Sequence, residues 1–101
     1  MSTIRVRAQE SDGIVTVRAL MTHPMETGTS KDAAGNLIPP HHIDVVTADV
    51  GDTNVMTAYW GVTISRNPFF QFQFEGSKGD TLKLAWTDNQ GGSDSVEATI
   101  G

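Results

Sequence analysis

The sequence predicts an all-β fold, an immunoglobulin-like antiparallel β-sandwich of about seven strands. Three observations carry this. Apolar and polar residues alternate with period two in one run after another. Short segments rich in Gly, Asp and Asn separate those runs. No segment sustains a 3.6-residue apolar period over the ~10 positions that a helix would need. With 101 residues, 38% of them hydrophobic and 19% charged, the chain fits one globular domain spanning residues 1–101.

Each run has its own pattern. From Thr3 to Gln9, Ile4, Val6 and Ala8 share one face. Asp12-Gly13 is a hairpin signal, and the run Ile14 to Thr22 behind it aligns Val15, Val17, Ala19 and Met21. Thr53 to Trp60 aligns Met56, Ala58 and Trp60, and Phe69 to Glu75 sets Phe70, Phe72 and Phe74 against Gln71, Gln73 and Glu75. Thr81 to Asp88 aligns Leu82, Leu84 and Trp86, and Ser95 to Ile100 aligns Val96, Ala98 and Ile100. These are strands with one buried and one wet face. Gly51-Asp52, Ser77 to Asp80 and Asn89 to Gly92 supply turns between them.

Two segments break the rule. In the run His42 to Val50, Ile43 and Val45 are expected on one face and Val46, Ala48 and Val50 on the other. A strand apolar on both faces is either central or covered on its outer face by something else. The stretch from His23 to Pro40 is not strand-like and holds three of the four prolines. Its His23-Pro24 and Pro39-Pro40 ends favour extended geometry. About 18 residues exceed the ~12–15 of an ordinary connection in a compact domain. The stretch reads either as a crossover between sheets or as a recognition loop.

The net charge of -5, from 7 basic and 12 acidic residues, argues against phosphate binding as the main function. Arg5, Arg7 and Arg18 fall in the first two strands, with Arg5 and Arg7 on one face. They form either a local basic strip or a solvated sheet face. The absence of cysteine excludes disulfides and thiolate metal sites. Met1-Ser2-Thr3-Ile4-Arg5 has no apolar leader core, and no stretch approaches ~18 apolar residues.

Few residue groups suggest chemistry. His42 and Asp44 share a strand face, and His23 could join them only if the long loop folded back. Two ligands fall short of the three or four of a stable zinc site. His41 alternates away from His42. Ser30 or Ser65 could complete a triad on paper, but no strand-turn-helix elbow exists to present either. Gly91-Gly92 has no following helix and reads as a turn, not a phosphate cradle. Trp60 and Trp86 alternate into core positions.

Several segments taken together resemble the SoxZ family. They are Arg5-Val6-Arg7-Ala8, His23-Pro24-Met25-Glu26-Thr27-Gly28, Lys31-Asp32-Ala33-Ala34-Gly35 and Leu37-Ile38-Pro39. Trp60-Gly61, Ser65-Arg66-Asn67-Pro68-Phe69, Trp86-Thr87-Asp88-Asn89 and Glu97-Ala98-Thr99-Ile100 follow in order. The chain departs from the pattern at Thr29-Ser30, in place of Leu-Arg, and at His42, in place of an aromatic residue.

The resemblance implies a non-catalytic subunit, without cofactor or metal, of the SoxYZ sulfur carrier of bacterial thiosulfate oxidation. In that family the SoxY subunit bears the reactive cysteine on a Gly-Gly-Cys-Gly-Gly arm, and this cysteine-free chain would be its holder. It further implies a SoxY heterodimer, transient contact with other Sox enzymes, no nucleic acid and no membrane. The expected compartment is the periplasm, reached by co-export with a partner bearing a twin-arginine signal. Met25, Glu26, Thr27, Lys31 and Asp32 are the candidates for contact with the partner arm or its enzymes. Ile43, Val45 and Phe69 are the candidates for the subunit interface. Two other readings stay open: a free-standing immunoglobulin-like binding or adhesion module, and a small metal-dependent hydrolase using His23, His42 and Asp44.

Overall fold

The computed structural model describes residues 3–101; Met1 and Ser2, the start of the stretch read above for a leader, lie outside the described residues. Among the described residues there are seven strands and no helix. They are β1 (Ile4–Ser11), β2 (Ile14–Met21), β3 (Ile43–Val50), β4 (Thr53–Tyr59), β5 (Phe69–Glu75), β6 (Thr81–Asp88) and β7 (Ser93–Thr99). They form a three-stranded sheet in the order β1-β2-β5 and a four-stranded sheet in the order β4-β3-β6-β7. Every pairing is antiparallel. This is the expected immunoglobulin-like sandwich.

Local chemistry sets the first register. Asp12 and Gly13 both take positive φ, 54° and 82°, the conformation of a two-residue hairpin turn whose twist matches its strands. Ser11 therefore pairs with Ile14, and β1 extends past the expected Gln9. Once that register is set, Val15, Val17, Ala19 and Met21 all point inward and are buried. A one-residue slip would turn the whole set outward.

The two sheets face each other across one core. Val15, Val17 and Met21 from one sheet meet Ile43, Val46, Leu82 and Leu84 from the other, all fully buried. On the edge strand β5, Phe70, Phe72 and Phe74 stack as a ladder with centroids 6.1 and 6.2 Å apart, and Trp60 meets Phe70 edge-on at 5.2 Å. Trp86 is also inside, its Nε1–H donating to Thr3 Oγ1 at 3.2 Å. Gly101 closes the seam beside β1, donating to Ala8 and accepting from Glu10.

One expected detail is corrected. β3 is a central strand, and its ladder with β6 shifts register between Ile43 and Val45. Asp44 is the extra residue of this bulge. It lets Ile43 and Val46 both face the core, while Val45 faces outward. Ile43 and Val45 therefore do not share a face, because period-two alternation holds only while the ladder is regular.

Leu84 sits at the centre of this core with no solvent exposure. Leu84→Ala should cost about 2–5 kcal/mol, read as a lower denaturant midpoint at unchanged slope. A cost below about 1 kcal/mol would mean that the two sheets do not meet there as described.

Candidate functional site

Three connections gather at one end of the sandwich: the β2–β3 loop, the β4–β5 loop and the β6–β7 turn. Asp88, the last residue of β6, continues the inward alternation of Leu82, Leu84 and Trp86, so its carboxylate is directed into the protein and is 8% exposed. Four N–H groups converge on it. His23 Nε2 (3.2 Å) and His41 Nε2 (2.8 Å) donate to Oδ2. The Gln90 (3.0 Å) and Gly92 (2.7 Å) amides donate to Oδ1. Burial pushes this carboxyl up, and the hydrogen bonds from His23, His41, Gly92 and Gln90 outweigh it. The pKa is lowered from 3.8 to about 2.

The histidines come from opposite ends of the long loop. His23 is buried between the edges of Trp86 and His41, with ring centroids 5.1 and 4.6 Å away. Its Nδ1 accepts the Met25 amide at 3.0 Å. That contact holds Met25 at φ 46°, a conformation L residues seldom adopt. The Met25 sulfur in turn accepts the Ile43 amide at 3.3 Å. Asn67, also at positive φ, accepts the His23 amide and donates its own amide to the His23 carbonyl. Beyond the histidines, Glu26 pairs with His41 and Lys31 with Leu37, so the loop is an antiparallel excursion. Asp32 closes its tip by accepting the Ala34 and Asn36 amides.

His23, His41 and Asp88 have the residue types of a metal site, with ligand atoms within 4.8 Å of one another. The hydrogen bonding is that of a closed network instead. With Met25 N–H donating to Nδ1, the His23 proton must reside on Nε2, aimed at Asp88. Ligation through Nε2 would move that proton to Nδ1 and set two donors face to face. These residues do not fit a metal.

The group His23, His42 and Asp44 is also corrected. His42 Nδ1 does reach Asp44 Oδ1 at 3.0 Å, but His23 is committed to Asp88 on the interior side. Among the described residues, no serine hydroxyl hydrogen-bonds any histidine, so neither Ser30 nor Ser65 has an activating base. Sequence reasoning missed His41 and Asp88. The available signal was a carboxylate continuing a buried face, followed three residues later by Gly-Gly.

The residues expected to touch a partner separate into buried and exposed. Met25 and Ile43 are core side chains, 5% and 0% exposed, and offer nothing to a partner. Thr27, Lys31 and Asp32 are exposed on the loop excursion, while Glu26 is half-buried with Arg66 3.9 Å away. Val45 lies on the outer face of the four-stranded sheet, and Phe69, 63% exposed, lies on that of the three-stranded sheet.

The family model for the sulphur oxidation protein SoxZ matches residues 4–99. The chain belongs to the SoxZ family. The match runs from β1 through β7, so the sandwich and the Asp88 network both lie within the SoxZ unit. No curated protein sequence matches. Among solved structures, a variant of the superoxide reductase neelaredoxin from Archaeoglobus fulgidus, in the reduced form, is similar at TM-score 0.62 and 21% identity. The alignment covers 97% of this chain and 85% of that one, and it supports the fold alone.

A carboxyl held below its unfolded pKa stabilises fully above about pH 3.8, and the stabilisation is lost as pH falls through about 2. Asp88→Asn should therefore cost on the order of 1–3 kcal/mol at pH 7. Denaturant midpoints of wild type and variant should converge between about pH 4 and 2. A constant gap across that range would show that the charge of Asp88 contributes nothing. Gly92→Ala is a second probe, since a Cβ there would sit 2.6 Å from Asp88 Oδ2. It should destabilise by about 1–3 kcal/mol and move the His23 and His41 ring resonances.

Proposed function

We propose that this SoxZ-family chain is the non-catalytic subunit of a SoxYZ-type sulfur carrier, binding the SoxY subunit whose cysteine holds the sulfur intermediate during thiosulfate oxidation. The observation that carries the reading is the family match across residues 4–99, which makes the chain a component of a sulfur-oxidation system. Its site of action in this reading is the periplasm, reached with a partner that bears a twin-arginine signal.

Two physical features support it. The chain has no cysteine. A persulfide or thiosulfonate on a partner arm is open to attack by any nearby thiolate, and a companion without thiols cannot divert that sulfur into a mixed disulfide. The second feature is the outer face of the four-stranded sheet. At its loop end the cross-strand row Tyr59-Val45-Thr87-Ser93 carries no charge, nor does the next row, Thr57-Thr47-Ala85-Ser95. Short, uncharged side chains leave this surface flat, with Tyr59 81% exposed at its border. Sheet faces depleted of charge suit permanent subunit interfaces. Val45 is the interface candidate at the centre, and the loop excursion bearing Glu26, Thr27, Lys31 and Asp32 stands at the same end, where an arm could meet it.

Coexpression with a cysteine-arm SoxY subunit should give a 1:1 heterodimer on sizing. Val45→Glu should weaken it at least about tenfold while the single chain keeps its denaturant midpoint within about 0.5 kcal/mol. Separate elution of the two chains at micromolar concentration would overturn the carrier reading. An unaffected heterodimer in Val45→Glu would move the interface off this sheet.

A further inference from the structure

The outer face of the three-stranded sheet has the opposite character. Its cross-strand rows are Arg5-Leu20-Phe69, Arg7-Arg18-Gln71, Gln9-Thr16-Gln73 and Ser11-Ile14-Glu75. Three of the chain's seven basic residues lie here, in a protein of net charge -5. Among the described residues no carboxylate pairs with any of them. By alternation the acidic side chain of this face is Glu75, four residues along β5 from the Arg18 row and about 13 Å away. Glu10 at the border lines a depression with Arg7 and Arg18, its carboxylate accepting the Gly13 amide.

Stability does not account for this arrangement. Arg7 and Arg18 are directly opposite each other, and like charges in that position weaken a sheet. The Arg18 Nε–H donates to Gln71 Oε1 at 3.0 Å, which orients its guanidinium, and among the described residues no carboxylate meets the terminal nitrogens. Beside the arginines, Leu20 and Phe69 form a cross-strand apolar pair, 40% and 63% exposed. A shallow depression of ≈ 200 Å³ lies between Arg5, Arg7, Arg18, Leu20 and Phe69. Uncompensated guanidiniums next to an exposed aromatic ring are a recognition surface that still needs its counterpart.

We propose that this face docks an acidic protein partner, one that presents carboxylates to Arg5, Arg7 and Arg18 around an apolar side chain seated on Leu20 and Phe69. A protein surface fits better than a small anion. The guanidiniums spread over two rows about 7 Å apart on an open sheet and do not converge on one point. An apolar pair at one end adds affinity only for a ligand long enough to cover both. The face lies on the opposite side of the sandwich from the uncharged rows through Val45 and Thr47, so this partner and the SoxY subunit can be held at once. The proposal does not rest on the carrier reading.

The probe is a synthetic peptide of alternating Glu and Leu, added to the isotope-labelled chain with NMR detection. Saturable binding should shift the amide resonances of Arg5, Arg7, Arg18 and Phe69, and affinity should fall steeply between 50 and 200 mM salt. The Arg7→Glu/Arg18→Glu variant should bind at least tenfold more weakly. Phe69→Ala should lose severalfold in affinity with the salt dependence unchanged. Sulfate and thiosulfate at the same concentration should leave these resonances in place. Arg7→Gln offers a test without any ligand, since relief of the Arg7–Arg18 repulsion should leave the chain as stable as wild type or more so. Equal binding by the double-Glu variant, a small anion that saturates the face as well as the peptide does, or a loss of stability in Arg7→Gln would each overturn the proposal. None of these outcomes depends on heterodimer formation, so failure here and failure of the carrier reading are separable.

Discussion

The geometry of the loop end depends on one buried carboxylate. Removing Asp88 from water is costly, and the cost is offset only because four N–H groups point at its two oxygens. Those donors come from three parts of the chain: the start of the long loop, its end, and the turn after β6. The carboxylate therefore does by hydrogen bonding what a disulfide or metal would do in a small domain. It closes a long connection whose open ends would otherwise carry a large conformational entropy.

The constraint propagates through contacts of one kind, an amide donating to a side chain. With Nε2–H held by Asp88, His23 has Nδ1 free to accept the Met25 amide, and this fixes Met25 in its strained conformation. Met25 then turns its sulfur to the Ile43 amide at the start of β3. Ile43 is pulled inside, and the strand regains its pairing with β6 through the bulge at Asp44. Val45 faces outward as a result. The outer surface of the four-stranded sheet is thus coupled to the carboxylate at its end, and strain at Met25 is the local cost of that coupling.

Alternation made the seven strands legible because it is a property of each segment alone. The Asp12-Gly13 hairpin was legible for a similar reason, since two residues suffice to specify it. What was illegible arises between segments. The bulge at Asp44 cannot be seen from alternation, which assumes a regular ladder, and so Ile43 and Val45 were expected together. β7 begins at Ser93, ahead of the expected Ser95, because Asp88 draws the Gly92 amide back into a tight turn. His23, His41 and Asp88 lie far apart in sequence, and only the crossing of two connections at one end of the sandwich unites them. The pairing of His42 with Asp44 was legible, being local, but that local pair drew attention away from the site.

The two outer faces of the sandwich show how one small domain can separate two kinds of association. A flat patch without charge, like the rows through Val45 and Thr47, gains little from electrostatic steering and suits a partner held through desolvation in a slow, lasting contact. A face with unpaired guanidiniums beside an exposed ring attracts its counterpart at a distance and releases it readily once salt screens the charges. Because the arginines sit on β1 and β2, away from β3 and β6, neither surface compromises the other. A net charge of -5 over the whole chain sharpens the contrast, since the remaining four basic residues face twelve acidic ones and the surface away from that strip is on balance unfavourable to an acidic partner. In the carrier role proposed, that separation would let a lasting subunit stay bound while acidic partners come and go on the other side.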